Sequence, residues 1–186
     1  MGYSLSWLAV QGLRRDAVFE LLSLTPNGVK CTYPFQGVCA YELPGPWVLI
    51  AANRCGHRII GPEVLQGLSA EALVVACAVE EHVNYASSEA WHKSLRTWKV
   101  EHEGEAGSEN ITVLGNPPSE YANLLKSVEL EDSSIMDGHF HMDIPLLLAK
   151  QITGFRHDDD ISSIDYDGFE TLLQSTAPRR WWQIWS

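Results

Sequence analysis

One segment of the chain, residues 73–79 (LVVACAV), is apolar at every position. A run of this length that is rich in β-branched side chains is typical of a strand buried on both faces of a sheet, although a short buried helix shows the same pattern. Residues 91–103 and 109–114 also carry β-branched and aromatic side chains, and residues 87–89 (SSE) have the composition of a turn. These segments predict an antiparallel meander at the centre of a sheet.

The rest of the chain predicts strands that come early and helices that lie mostly towards the C-terminus. Three more strands are predicted at residues 3–10, 38–43 and 47–52. Helices are predicted at residues 14–24, 62–68, 116–129 and 143–154. Asp167 and Glu170 have the spacing of a capping box, which predicts a last helix that extends through Leu173.

This order of elements predicts the fold class. Because the helices are segregated from the strands and do not alternate with them, we expect an α+β fold. Its antiparallel sheet would be built on the central meander, with the helices packed on one side and mostly C-terminal. No linker divides the chain, so we expect residues 1–186 to form a single domain.

Acidic residues are concentrated in the second half of the chain. The net charge is −11, and residues 101–170 hold 16 Asp and Glu against 3 Lys and Arg. A protein that binds DNA or RNA directly needs a basic face, so the composition argues against a nucleic-acid ligand. An acidic surface attracts basic protein partners and accelerates their association, although it also serves solubility alone.

The cysteines and the N-terminus bear on the compartment. Cys31, Cys39, Cys55 and Cys77 show neither a C-x-x-C pair nor the spacing of zinc ligands, and we expect reduced thiols in a cytoplasmic protein. The N-terminus lacks the basic and apolar regions of a signal peptide. No apolar run approaches the roughly 20 residues that span a bilayer, so we expect no membrane partner.

Four motifs contain residues that suit metal or acid–base chemistry. Residues 139–141 (HFH) place two imidazoles on one side of an extended segment, where they bind a divalent metal or face solvent ahead of a helix. Residues 80–82 (EEH) form an acid–base group or mark the point at which a strand emerges into solvent. Residues 55–57 (CGH) pair a cysteine with a histidine, but neighbouring side chains rarely point at each other as Cys–His catalysis requires.

The fourth motif, residues 158–169, fails the EF-hand pattern. Ser163 stands where the calcium loop needs Gly, and Phe169 stands where it needs Glu. From these motifs we assign no catalytic residue, no metal ligand and no cofactor.

Several stretches resemble a widespread family of small bacterial proteins of unassigned function. These stretches are residues 1–12 (MGYSLSWLAVQG), 47–53 (WVLIAAN), 79–83 (VEEHV) and 144–158 (IPLLLAKQITGFRHD). The resemblance covers most of residues 1–160 and implies no catalytic residues. The chain is also similar, in size, acidity and cytoplasmic character, to immunity proteins that neutralise nuclease toxins of type VI or related polymorphic secretion systems.

The acidic half and this second resemblance lead to one functional prediction. We expect a non-enzymatic immunity protein that binds a basic nuclease toxin domain and occludes its active site or its nucleic-acid groove. Carboxylates would form charge-assisted hydrogen bonds with Lys and Arg of the toxin. The predicted contact residues are Glu129, Glu131, Asp132, Asp158, Asp159, Asp160, Asp165 and Asp167.

Two other functions fit the sequence. A small metal-dependent or acid–base enzyme would use His139, His141 and nearby carboxylates. A structural module of a larger assembly would need no such chemistry. Near the C-terminus, Trp181, Trp182 and Trp185 form either a docking patch for a partner or a segment that folds back on the core.

Overall fold

A computed structural model describes residues 2–32, 36–132, 140–159, 165 and 168–175, with only the backbone described for residues 129–132 and 140. Within these residues the chain forms one nine-stranded sheet and four α-helices. The strands are β1 (Ser4–Gln11), β2 (Leu24–Cys31), β3 (Val38–Glu42), β4 (Trp47–Ala52), β5 (Leu73–Glu80), β6 (Tyr85–His92), β7 (Leu95–Glu103), β8 (Ile111–Gly115) and β9 (Phe169–Gln174). The helices are α1 (Arg15–Leu22), α2 (Pro62–Leu68), α3 (Glu120–Asp132) and α4 (Phe140–Thr153).

Neighbouring strands of the sheet all run antiparallel, in the order β2-β9-β3-β4-β1-β5-β6-β7-β8. The predicted α+β class, with an antiparallel sheet and mostly C-terminal helices, is confirmed. Strands β5 to β8 form the predicted meander, which makes up four of the nine strands and ends at one edge of the sheet. The middle position belongs to β1, the first strand of the chain.

Strand β1 is buried on both of its faces. Leu5, Trp7 and Ala9 point to one side of the sheet, which we call face A, and Leu8 and Val10 point to the other, face B. None of these five side chains is more than 4% exposed. The neighbouring strand β5 is also buried on both faces, as its apolar run predicts. A sheet with two apolar faces needs cover on both sides.

The helices provide this cover as two pairs. Helices α3 and α4 cover face A through Leu124, Val128, Ile144, Leu146 and Leu148. Helices α1 and α2 cover face B through Val18, Phe19, Leu22, Leu65 and Leu68. The prediction that the helices pack on one side is therefore correct for the two long helices and wrong for α1 and α2.

The turn predicted at residues 87–89 is the middle of β6. Ser88 is fully buried there, opposite Cys77 of β5. The chain turns at Lys93 and Ser94 instead, whose φ angles of 52° and 61° form a two-residue hairpin loop between β6 and β7. Lys and Ser rarely adopt this left-handed backbone, so the sequence shows no turn signal at the true position.

The predicted last helix is wrong as well, since its residues form β9. Phe169 is fully buried and stacks on Tyr41 of β3, with ring centroids 4.8 Å apart. A capping box is a local signal, and here it is outweighed by strand pairing with β2 on one side and β3 on the other. The tryptophans at positions 181, 182 and 185 lie outside the described residues.

Helix α4 begins three residues before its predicted start. Asp143 therefore lies within its first turn, and Pro145 lies inside the helix. Gly154 ends the helix, as predicted: its φ is 80°, and its amide donates to the carbonyl oxygen of Lys150 at 2.7 Å. This ending determines where the next residues of the chain meet the sheet.

The last residue of β8, Gly115, should not tolerate a side chain. Its φ is 72°, and a Cβ at this position would collide with the carbonyl oxygen of Thr97. We expect Gly115→Ala to lower the free energy of unfolding by about 2 kcal/mol or more, because the strand ends would have to separate. Urea denaturation followed by tryptophan fluorescence measures this change.

Gly67→Ala is the matched control. Gly67 lies in α2, where an added Cβ meets no atom within 4 Å, so this substitution should be neutral or stabilise the protein by about 0.5–1 kcal/mol. Equal stabilities for the two variants would contradict the close approach of β7 and β8 at Gly115.

Candidate functional site

The register of the sheet gathers polar residues at one end of β1, β5, β6 and β7. Ser4 pairs with Glu80, Glu80 with Tyr85, and Tyr85 with Glu103. The chain segments that leave the strands at this end carry further carboxylates. We call this region the acidic end, and its carboxylates belong to Glu80, Glu81, Glu103, Glu105, Glu109 and Asp158.

The segment that follows α4 lies across the acidic end on face A. Phe155 packs edge-on against Trp7 of β1, with ring centroids 5.3 Å apart and an angle of 86° between the rings. Two residues later, the ring of His157 meets Tyr3 edge-on at 5.1 Å. These contacts fix the backbone on both sides of Arg156, so the charged side chains of this segment are held against the sheet.

Glu81, His157 and Asp158 converge at this point. Nε2 of His157 lies 3.2 Å from Oε1 of Glu81, and the other oxygen of Glu81 accepts the Tyr3 amide at 2.8 Å. Nδ1 of His157 lies 3.7 Å from Oδ1 of Asp158. His157 is only 2% exposed, whereas Asp158 is open to solvent. Of the His, Cys, Asp and Glu side chains that the structure describes, these three form the one group with metal-ligand spacing.

Arg156 binds two carboxylates beside this group. Its Nε and Nη2 donate to the two oxygens of Asp158 at 2.5 and 2.9 Å, and Nη2 also donates to Asp143 at 2.7 Å. Burial alone would raise the pKa of Asp158, but the hydrogen bonds and the positive charge of Arg156 lower it. Asp158 is therefore ionised at neutral pH.

A second polar group lies behind the sheet end, on face B. The Ser4 hydroxyl donates to Glu80 at 2.5 Å and accepts the amide of Cys55 at 3.1 Å. Burial and the charge of Glu80 raise the pKa of the Cys55 thiol, so a reactive thiolate is disfavoured. Nδ1 of His57 accepts the amide of Ile59 at 3.3 Å, which occupies it in a local turn. These contacts do not suit Cys–His catalysis.

Of the two histidines proposed for the enzyme alternative, the structure describes His141. His141 is 8% exposed in the first turn of α4, and His139 lies outside the described residues. His102 of β7 is fully buried, and Nδ1 of its ring lies 2.8 Å from the carbonyl oxygen of Asn110. A carbonyl only accepts, so this nitrogen carries the hydrogen.

The structure describes the side chains of three of the predicted contact residues, Asp158, Asp159 and Asp165. Asp158 pairs with Arg156, and Asp159 pairs with Lys150 at 2.5 Å. The amide of Asp165 donates to the Tyr41 hydroxyl at 2.9 Å. Because Tyr41 is on β3, three strand spacings from β5, Asp165 lies about 14 Å across the sheet from the acidic end.

The side chains of the other five predicted contact residues lie outside the described part of the structure. The backbone of Glu129, Glu131 and Asp132 forms the end of α3, but their side chains are not described. Asp160 and Asp167 lie outside the described residues. Among the three contact residues whose side chains are described, Asp158 and Asp159 lie together, and Asp165 lies apart from them.

Three of the six carboxylates at the acidic end do not belong to any motif or contact set predicted from the sequence. Glu103, Glu105 and Glu109 are exposed around the turn between β7 and β8. They lie within the acidic region already recognised by counting charges. Strand register places them at the same end of the sheet as Glu81. A count of charges along the sequence cannot show which residues are neighbours across strands.

Comparison of the chain with protein-family models, with curated proteins and with solved structures gives no match. The two resemblances noted in the sequence therefore stay predictions. None of the helices in the described part of the chain is long and apolar enough to cross a membrane.

Arg156 should stabilise the fold by neutralising Asp143 and Asp158. The Arg156 side chain is 15% exposed, and the two carboxylates are about 30% exposed, so their attraction is only partly screened. We expect Arg156→Gln to lower the free energy of unfolding by about 2 kcal/mol, which is less than the loss of a fully buried pair. Denaturation in urea at pH 7 gives the value.

Lys150→Gln serves as the comparison for Arg156→Gln. It removes a single ion pair, with Asp159, whose lysine is 40% exposed, and it should cost less than about 1 kcal/mol. If Lys150→Gln lowers the free energy of unfolding as much as Arg156→Gln does, the Arg156 network stabilises the fold no more than a single exposed ion pair.

His102 should make the fold less stable in mild acid. Burial lowers the pKa of His102, and the nearby His141 lowers it further, against the hydrogen bond to Asn110 that raises it. The unfolded chain therefore binds a proton at a higher pH than the folded protein. The contribution of His102 is present above its unfolded pKa of 6.5 and is lost as the pH falls through the lower folded value.

The measurement compares the free energy of unfolding at pH 7.5 and 5.5. We expect the free energy of unfolding of the natural protein to be lower at pH 5.5 than at pH 7.5. In His102→Gln this decrease should be smaller. Part of the remaining slope should come from His57, whose pKa is lowered by burial and by Arg58 and Arg54. An unchanged slope in His102→Gln would contradict a buried neutral imidazole.

Proposed function

We propose that the protein is a non-enzymatic immunity protein that binds a basic nuclease toxin domain through the acidic end. The observation that carries this proposal is the register that places Glu80, Tyr85 and Glu103 in one row. It adds the exposed carboxylates of the β7–β8 turn to the carboxylates beside His157. A basic protein surface, such as one that binds nucleic-acid phosphates, would contact all of these carboxylates at once.

The described residues at the acidic end carry more negative than positive charge. Arg156 is shared between Asp143 and Asp158, and Lys99 pairs with Glu101 on β7. The exposed glutamates at positions 103, 105 and 109 add negative charge beyond these pairs. The surplus is directed outward at this end, where it can speed the encounter with a basic partner.

The backbone under these carboxylates is held by regular structure. Glu103 ends a strand that is paired on both sides, and the amide of Gly104 donates to the carbonyl oxygen of Asn84 at 2.9 Å. A Cβ on Gly104 would lie 2.6 Å from the Asn84 side chain, which shows how closely the two turns approach. Ordering these groups before binding reduces the entropy lost in the complex.

This proposal moves the contact surface away from part of the predicted set. Asp158 stays in it, whereas Asp159 is neutralised by Lys150 and Asp165 lies elsewhere on the sheet. Burial and the charge of Glu80 raise the pKa of the Cys55 thiol, which disfavours Cys55 as a catalytic nucleophile. Occlusion of the toxin's active site or nucleic-acid groove would follow from charge and shape, with no reaction.

The test uses the toxin domain encoded beside this protein's gene, purified as a catalytically inactive variant. We expect it to bind the chain, and we expect Glu103→Gln/Glu105→Gln/Glu109→Gln to reduce the association rate about tenfold at roughly 50 mM salt. The difference should shrink at about 500 mM salt, because exposed charges are then screened. Stopped-flow fluorescence measures both rates.

A matched control changes the same charge elsewhere. Glu20, Glu63 and Glu71 are exposed, and they lie on α1, on α2 and before β5, away from the acidic end. Their triple Gln variant should change the association rate by less than about twofold. Equal effects of the two triple variants would remove the acidic end from the interface. Absence of any neighbouring toxin that this protein inhibits would overturn the proposed function.

A further inference from the structure

We propose that Glu81, His157 and Asp158 form a binding site for one divalent cation of the zinc type. In this site, Nδ1 of His157 and a carboxylate oxygen of Asp158 bind the ion, and Glu81 orients the imidazole. The inference rests on the contacts of these side chains and does not depend on the proposed function.

The hydrogen bonds of Glu81 determine which nitrogen of His157 is free to bind. One oxygen of Glu81 accepts the amide of Tyr3, and the other lies 3.2 Å from Nε2 of His157. An ionised carboxylate only accepts hydrogen bonds, so Nε2 must carry the hydrogen. In the neutral imidazole this leaves a lone pair on Nδ1.

This lone pair is buried and has no hydrogen-bond partner in the described structure. Nδ1 of His157 is inaccessible to solvent and faces Oδ1 of Asp158 at 3.7 Å. Two acceptors that face each other in this way repel unless a cation or a proton lies between them. The side chain of Asp158 is 30% exposed, so an ion can reach this position from solvent.

The spacing suits a small metal ion. Two ligand atoms about 2.1 Å from a tetrahedral zinc ion lie roughly 3.4 Å apart, close to the separation of Nδ1 and Oδ1. One ligand atom from each of the three residues falls within 4.8 Å of the others. A carboxylate that holds the distant nitrogen of a metal-bound histidine, as Glu81 does here, is a common partner in zinc sites.

The net negative charge around this site also favours binding of a divalent cation. Asp143 and Asp158 bind the guanidinium of Arg156, and Glu81 lies against His157. These three carboxylates and one guanidinium leave two negative charges when His157 is neutral. Arg156 uses one acceptor position on each oxygen of Asp158. Since a carboxylate has about four such positions, the remaining ones can bind an ion, and Arg156 then fixes the orientation of the ligand.

The experiment measures zinc binding to the full chain after treatment with a chelator. We expect one Zn²⁺ per chain by equilibrium dialysis with elemental analysis, and a rise in Tm that grows with the concentration of free zinc. Co²⁺ should bind in its place and give visible absorption that reports its ligand geometry. No bound metal at micromolar zinc would overturn the proposal.

Two variants separate this site from other zinc-binding groups of the chain. Asp158→Asn removes a charged ligand, and His157→Gln removes Nδ1 while it keeps a donor for Glu81. Each should weaken zinc binding at least about tenfold, and circular dichroism checks that each variant is folded. If His157→Gln does not fold, Asp158→Asn alone decides the question.

Glu81→Gln and Asp165→Asn complete the set. Glu81→Gln keeps an acceptor for Nε2, so zinc affinity should fall less than in Asp158→Asn. Asp165→Asn removes a carboxylate far from the site and should leave zinc affinity unchanged. Zinc binding that is as tight in Asp158→Asn and in folded His157→Gln as in the natural protein would place the ion elsewhere and overturn the proposal.

Discussion

The burial of β1 on both faces is the constraint on which the rest of the structure depends. An antiparallel sheet often leaves one face in water. Here Trp7 on face A and Leu8 on face B are 1% and 0% exposed, so each face must be covered by helices. Two short helices that follow β1 and β4 cover face B, and two longer helices that follow the meander cover face A. The order of elements along the chain thus separates the two layers.

Cover on face A also builds the acidic end. Helix α4 ends at Gly154, and Phe155 continues its apolar contact by packing on Trp7. The chain that follows must pass over the ends of β1 and β5, which brings His157 to Glu81, 76 residues earlier in the sequence. The charges are therefore positioned by a contact between two aromatic rings. A change in that contact would alter the polar group without changing any of its residues.

The range of each interaction explains what could be predicted from the sequence. Strand β4 and helix α2 have their predicted bounds, because local composition and Pro62 determine them. The turn at residues 93–94 and strand β9 were missed, because strand pairing imposed a backbone that local propensity does not indicate. Charge counting located an acidic region. It could not show that Asp158 and Asp165, seven residues apart, lie at different parts of the sheet.

Strand spacing limits how strongly binding of the cation and binding of the basic partner can affect each other. A bound divalent cation would neutralise charge at Glu81 and Asp158 and so oppose a basic partner, and by linkage the partner would oppose the ion equally. Glu103 lies two strands from β5, or about 10 Å, which exceeds the screening length of roughly 8 Å at physiological salt. The exposed glutamates of the β7–β8 turn would therefore keep most of their field when the ion is bound. The main effect of the ion would be local, because it would hold residues 155–159 against the sheet.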